Sequence, residues 1–192
     1  MNFKQLLSVI AVGLTIFAYL PYIRAIQQGK IKPHVFSWVI WGVSTCIVFL
    51  AQLSDRGGVG AWVIGFSGSI TIYVASLAYI KKSDITITRT DWIFFVLAMV
   101  SLPLWYLTSD PLWAVVVLTT VDVLGFGPTF RKAYIQPREE QLMFFVVMVF
   151  RNSMVISALE NYSLTTVLFP ATIATVCLIF SVMVLYRRRK LA

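Results

Sequence analysis

Hydrophobic residues in this chain run in long unbroken stretches, and the polar residues collect in the short gaps between them. Seven such stretches cover residues 6–25, 35–53, 61–80, 92–107, 112–130, 142–159 and 164–186. A helix rising about 1.5 Å per residue needs about 20 apolar residues to cross a hydrocarbon layer about 30 Å thick. Each stretch meets or approaches that length, the fourth being the shortest. The pattern predicts an all-α membrane protein of seven transmembrane helices.

The gaps alternate in charge. Arg24, Lys30 and Lys32 follow the first stretch, Lys81, Lys82 and Arg89 the third, Arg131, Lys132 and Arg138 the fifth, and Arg187 to Lys190 the seventh. The opposite side carries only Lys4 and Arg56. Basic loops stay on the cytoplasmic side, so the expected topology is a multi-pass protein of the cell membrane with its N-terminus outside and its C-terminus in the cytoplasm. One missed or invented helix would scatter the basic loops over both faces. Trp92, Trp105 and Trp113, near predicted span ends, suit interfacial anchoring.

Composition narrows the classes. With 59% hydrophobic and 12% charged residues, the chain has too little polar surface for a soluble domain. The net charge of +8 is accounted for by the loop asymmetry, so nucleic acid is not an expected partner. Cys46 and Cys177 lie inside apolar stretches, as packing residues do, and give neither a disulfide framework nor a metal site. The first stretch runs without a small-residue cleavage site into Pro21-Tyr22-Ile23-Arg24, which reads as a retained helix. His34 stands alone in a loop beside Pro33, so no metal, cofactor or catalytic relay is expected, and the chain is not read as an enzyme.

Two segments repeat. The first span ends in Pro21 three residues before Arg24, and the fifth in Pro128 three residues before Arg131; a basic loop with a second proline, Pro33 or Pro137, follows each. The duplication divides the chain into a first three-helix unit (1–82), a linker helix (83–110) and a second three-helix unit with a basic tail (111–192). Because both units start outside, they are parallel repeats joined by an inversion linker, a 3+1+3 plan. Two such bundles enclose a cavity, and rocking between them gives alternating access.

Tyr19-Leu-Pro21-Tyr-Ile with Pro33-His-Val-Phe-Ser37-Trp-Val-Ile-Trp41, and Gly127-Pro128-Thr-Phe-Arg-Lys with Pro137-Arg-Glu-Glu140, resemble PQ-loop repeats. That group includes SWEET and SemiSWEET sugar transporters, cystinosin-like exporters and PnuC-type vitamin transporters; the chain looks most like its compact bacterial members. The resemblance implies a small-solute transporter of the same 3+1+3 plan. Tyr22 and Thr129 stand where these repeats carry glutamine, and the asparagines that SWEET-type transporters use on the third and seventh spans are absent. An aspartate before the second motif serves proton coupling in cystinosin-like relatives, and Asp122 is similarly placed.

Candidate site residues follow from what hydrocarbon tolerates. Asp122 and Arg151 lie within spans, about 14 and 18 Å from the basic side at 1.5 Å per residue, near the midplane. Ionisable groups at that depth need a partner or water. Two readings stand: a buried ion pair joining two helices, or a charge that opens during a transport cycle. Asn152 adds an uncharged donor and acceptor. On the second span Trp38, Trp41 and Thr45 share one helical face, and Trp41 offers an indole for stacking on a flat solute; a lipid-facing stripe is the alternative. Ser67, Ser69, Pro170 and Thr172 occupy corresponding places on the third and seventh spans. Pro21 and Pro128 are the expected hinges. Glu139 and Glu140 suit a helix N-terminus, and Asn161-Tyr162-Ser163 matches a glycosylation pattern.

The expected function is transport of a small polar solute, with a proton as candidate co-substrate, by a monomer in the bilayer. The expected binding set is Trp41, Thr45, Ser67, Asp122, Arg151, Asn152 and Thr172. A seven-span sensor or scaffold with a non-transporting cavity is the alternative.

Overall fold

A computed structural model describes residues 2–30, 35–81, 89–126, 130, 133–135, 137–139 and 142–190, and among these every regular element is helical. The helices are α1 (Phe3–Gln27), α2 (Val35–Ser54), α3 (Gly58–Ile80), α4 (Arg89–Thr108), α5 (Pro111–Gly125), α6 (Leu142–Ala158) and α7 (Leu164–Lys190), with a short 3-10 turn at Pro137–Glu139. Pro33, His34, Pro128 and Glu140, together with the expected boundary at residues 82–83, lie outside the described residues.

The ends of these helices follow from local chemistry. Asn2 and Gln5 form a reciprocal capping box on α1. Asp110 accepts from Leu112 N, and Pro111 stands at the first helical position of α5, where its missing N–H costs nothing. Arg187 to Lys190 fill the last turn of α7, where cations suit the helix dipole. That turn is pinned: Arg187 Nε donates to Tyr134 O at 2.9 Å and Arg188 Nε to Pro137 O at 3.0 Å.

Two expectations about length change. The fourth helix has 20 residues, and the shortest of the α-helices given above is α5 with 15, which ends at Gly125; residues 127–129 of the expected span lie outside the described residues. Gly125, a poor helix former, stands at that end. Pro21, by contrast, does not end α1, which continues to Gln27.

Helices α1, α3 and α7 are long and apolar enough to cross a membrane, and Trp38–Ser54, Phe95–Thr108, Pro111–Gly125 and Leu142–Ala158 are shorter apolar helices. The distribution of polarity is inverted relative to a water-soluble bundle. Phe3, Val9, Phe17, Trp62, Leu107, Phe150, Ile179 and Val182 are exposed, while Thr15, Ser44, Gln52, Asp122, Arg151, Asn152 and Thr166 are buried. An apolar exterior this extensive needs an apolar solvent.

Packing follows a regular plan. α3 lies between α1 and α2, and α7 lies between α6 and α5. α1 packs on α6, α2 on α5, α3 on α6 and α2 on α7, while α4 rests on α5 and α2. Among the described residues no extended packing joins α1 to α2 or α5 to α6. Gly60 permits one of these approaches: a methyl built there would meet Leu159 N and Val155 O of the α6 end at 2.9 Å.

The interior divides into two apolar clusters. One gathers Ala11, Val48, Ala51, Val63, Ile64, Val115, Leu118, Val155 and Phe169. The other gathers Ala18, Tyr19, Val74, Phe145, Met148, Cys177 and Phe180, with Trp38 and Phe126 packed against it. Late α2 meets early α5 in the first, and early α2 meets late α5 in the second, so these two helices are antiparallel.

Candidate functional site

Each helix that contributes to both clusters changes character between them. On α1 Thr15 stands between Ala11 and Ala18; on α2 Trp41, Ser44 and Thr45 stand between Trp38 and Val48; on α3 Ser67 lies between Ile64 and Val74. On α5 Asp122 lies between Leu118 and Phe126, on α6 Arg151 and Asn152 lie between Met148 and Val155, and on α7 Thr172 lies between Phe169 and Cys177. The expected binding residues thus fall in one polar layer across the middle of the bundle. Hydrophobic periodicity alone would have buried apolar residues there.

Arg151 is the best-anchored member. It is 3% exposed. Its Nε donates to Thr15 Oγ1 at 3.2 Å, Nη1 to Asn152 Oδ1 at 2.8 Å and Nη2 to Val63 O at 2.9 Å. Three elements, α1, α3 and α6, therefore meet on one guanidinium, and every acceptor is neutral. Thr15 passes its own hydrogen to Ala11 O at 2.8 Å, and Asn152 Nδ2 donates to Met148 O at 2.8 Å. A planar fork can hold three acceptors in fixed directions as a lysine cannot.

Asp122 is buried without this support. Its Oδ1 has no hydrogen-bond partner, and the ion pair expected with Arg151 is not formed. The two charges belong to different seams, Arg151 to α1/α6 and Asp122 to α2/α5, so their similar depth does not bring them together. Near Asp122 the indole of Trp41 lies over α5: a methyl built on Gly125 would meet Trp41 Nε1 at 3.0 Å. Thr45 Oγ1 donates to Trp41 O at 2.8 Å. The Trp41 side chain is half-buried against α5 and Trp38 rather than exposed, which decides against a purely lipid-facing stripe.

The other expected residues sort as follows. Ser67 is buried on α3, and its carbonyl accepts from Thr71 Oγ1 at 2.9 Å. Thr172 is half-buried on α7. Ser69 is exposed and bonds back to Gly65 O, outside the layer. Pro21 is exposed on α1, and Pro170 is buried in α7. Pro170 has no N–H to give the carbonyl one turn back, and that carbonyl, Thr166 O, instead accepts from Gln52 Nε2 at 2.8 Å. Asn161 Nδ2 donates to Asp55 O at 2.9 Å.

Sequence reasoning missed Thr15, Ser44, Gln52 and Thr119. A signal for three of them existed. The shift that carries Pro21 onto Pro128 carries Thr15 onto Asp122 and Ser44 onto Arg151, and Thr119 is one helical turn from Asp122. Gln52 had none, since its partner is a carbonyl released by a proline far along the chain.

Both ends of the bundle are tied. At the basic end a continuous chain of rings runs Trp41, Trp38, Tyr19, Phe144, Phe145, Phe180, Phe130, with centroids 4.1 to 6.3 Å apart. At the other end Ser163 Oγ donates to the Asp55 carboxylate, Glu160 N to Gly57 O at 3.2 Å, and Lys4 Nζ to Leu159 O at 2.6 Å. A pocket of about 420 Å³ lined by Leu102, Trp105, Tyr106 and Ser109 contains none of the polar layer.

No protein-family model matches the chain, and neither the curated proteins nor the solved structures include a match to it.

Proposed function

We propose that the chain is a seven-span transporter or facilitator for a small polar solute, built from two three-helix bundles and an unpaired linker helix, α4. The observation that carries this reading is the polar layer held between two apolar clusters, with ring contacts closing one end and hydrogen bonds the other. Polar and ionisable groups are expensive at that depth, and in membrane proteins they mark solute or ion pathways.

The duplicated plan is supported by packing as well as by the proline repeat. Exchanging α1 with α5, α2 with α6 and α3 with α7 maps the packed pairs among these six helices onto one another. The same residue shift that aligns Pro21 with Pro128 aligns buried Ile40, Ser44, Thr45, Val48 and Ala51 with buried Val147, Arg151, Asn152, Val155 and Ala158. Rocking of the two bundles against each other would open the layer alternately to each side. The aromatic chain is then the cytoplasmic gate, and the Asp55–Ser163 clasp the outer one. Trp41, Thr45, Ser67, Asn152 and Thr172 offer stacking and hydrogen bonds to a solute in the layer. Arg151 organises the site from α6, and Pro21 and Pro128 are the candidate hinges.

Uptake into proteoliposomes tests this. Purified chain is reconstituted and offered labelled sugars, amino acids and vitamin precursors, with Asn152→Leu as the comparison. Saturable uptake that unlabelled solute competes away, and that the variant loses, supports transport. Folded protein that moves none of them points instead to a sensor or scaffold.

A further inference from the structure

Three oxygens on the α2/α5 seam are buried without a hydrogen-bond partner: Ser44 Oγ, Thr119 Oγ1 and Asp122 Oδ1. Their residues are 0, 5 and 6% exposed. A serine or threonine inside a helix has an acceptor within reach, the carbonyl one turn back. Thr15, Thr45, Thr71 and Ser181 use theirs at 2.8 to 2.9 Å. Ser44 and Thr119 leave theirs unused.

The three are neighbours by register. Thr119 and Asp122 stand three residues apart on one face of α5. Trp41 against Gly125 fixes the antiparallel register of α2 on α5, and one turn from that contact on each helix Ser44 comes level with Asp122. No hydrogen bond joins the three oxygens to one another. Oxygens arranged around a common cation behave this way, since each directs a lone pair at the ion and none at its neighbour. The other buried side-chain oxygens without partners among the described residues, Ser8 Oγ and Gln52 Oε1, lie towards the opposite end of the bundle from the aromatic chain.

The companion seam shows what is missing. Under the exchange of bundles, Thr15 and Arg151 correspond to Asp122 and Ser44, and in the α1/α6 seam a guanidinium spans the gap. In α2/α5 the arginine is replaced by a short hydroxyl and the threonine by a carboxylate. One seam carries its own cation and the other carries only ligands for one. A single carboxylate favours a monovalent ion, which leaves the site neutral; a divalent ion would leave net charge inside the bilayer. Among the described residues no three His, Cys, Asp or Glu converge as a transition metal would need.

We propose that Ser44, Thr119 and Asp122 form a binding site for a sodium ion between α2 and α5. The oxygens and their register do not depend on the transport reading; only the comparison of seams rests on the duplicated plan. The test uses the full chain in detergent at fixed ionic strength, measuring binding of radioactive sodium by scintillation counting at fixed pH, and the thermal unfolding midpoint across a range of pH in sodium chloride against choline chloride. Saturable binding and a midpoint raised by sodium but not choline are expected. Asp122→Asn abolishes both, and Ser44→Ala and Thr119→Val each weaken binding about tenfold. Should Asp122→Asn fail to fold, the two hydroxyl variants carry the test. Absence of saturable sodium binding by folded wild type overturns the proposal. So does binding unchanged in the hydroxyl variants, or a midpoint that follows pH equally in sodium and choline, which would mark a proton site. Solute uptake by a chain that binds no sodium overturns the ion site while leaving the transport reading intact, and sodium binding without uptake of any solute does the reverse.

Discussion

The α1/α6 and α2/α5 seams occupy equivalent places in the packing plan and handle charge in opposite ways. In α1/α6 the guanidinium of Arg151 finds three neutral acceptors on three helices. In α2/α5 the carboxylate of Asp122 keeps a buried oxygen without a partner, and two hydroxyls nearby decline their usual carbonyls. One seam is satisfied from within, and the other is left with unused ligands. The two seams therefore separate by hydrogen-bond accounting rather than by burial or depth, because Asp122 and Arg151 are alike in both.

Arg151→Ala should break that contrast most strongly. It removes the donor to Val63 O and Asn152 Oδ1 and leaves a cavity, a loss of about 3 kcal/mol or more. Denaturant unfolding in detergent, followed by tryptophan fluorescence, measures it. Arg151→Lys should recover less than half, because one ammonium cannot address three acceptors in a fork. Asp122→Ala, in sodium-free buffer, should cost under about 1 kcal/mol, since none of its hydrogen bonds would be lost. Equal losses for the arginine and aspartate variants would mean that Asp122 is bonded after all.

Gly60→Leu should come next. A methyl at Gly60 already meets backbone atoms of Leu159 and Val155 at 2.9 Å, and backbone cannot turn aside. Separation of α3 from α6 should cost about 2 kcal/mol. Gly125→Ala first meets the movable indole of Trp41 in the other seam, at 3.0 Å. It should cost less than half as much and shift the tryptophan emission, which Gly60→Leu should leave in place.

How much of this was legible in the sequence differs by level. The helices were readable from hydrophobic runs to within a few residues, apart from the end of α5, where Gly125 is a poor helix former. Part of the polar layer was readable too, because an asparagine or a charge inside an apolar span stands out, whereas Thr15, Ser44 and Thr119 do not. The partners were not. Depth along a helix is one-dimensional, and it placed Asp122 and Arg151 at one level without saying that they face different seams. Arg151 bonds to Thr15 and to Val63 O, the one an inconspicuous residue and the other a backbone atom with no side-chain signature. Gln52 needed a carbonyl that Pro170 could not use, a relation that arises only when α2 and α7 pack.

The smallest effects sharpen the comparison most. Thr15→Val removes a hydroxyl that accepts from Arg151 Nε and donates to Ala11 O, so it should cost about 1 kcal/mol. Ser44→Ala, in the other seam, removes a hydroxyl bonded to nothing in the protein. In choline chloride it should change stability by less than about 0.5 kcal/mol, because no hydrogen bond is lost and a buried polar atom is removed. In sodium chloride the same substitution should become destabilising, by the share of ion binding that the hydroxyl supplies. Unfolding of both variants in the two salts therefore gives four midpoints. Thr15→Val should lose the same amount in each salt, and Ser44→Ala should lose only in sodium. A Ser44→Ala loss independent of the cation would place that hydroxyl in ordinary packing and remove the distinction between the seams.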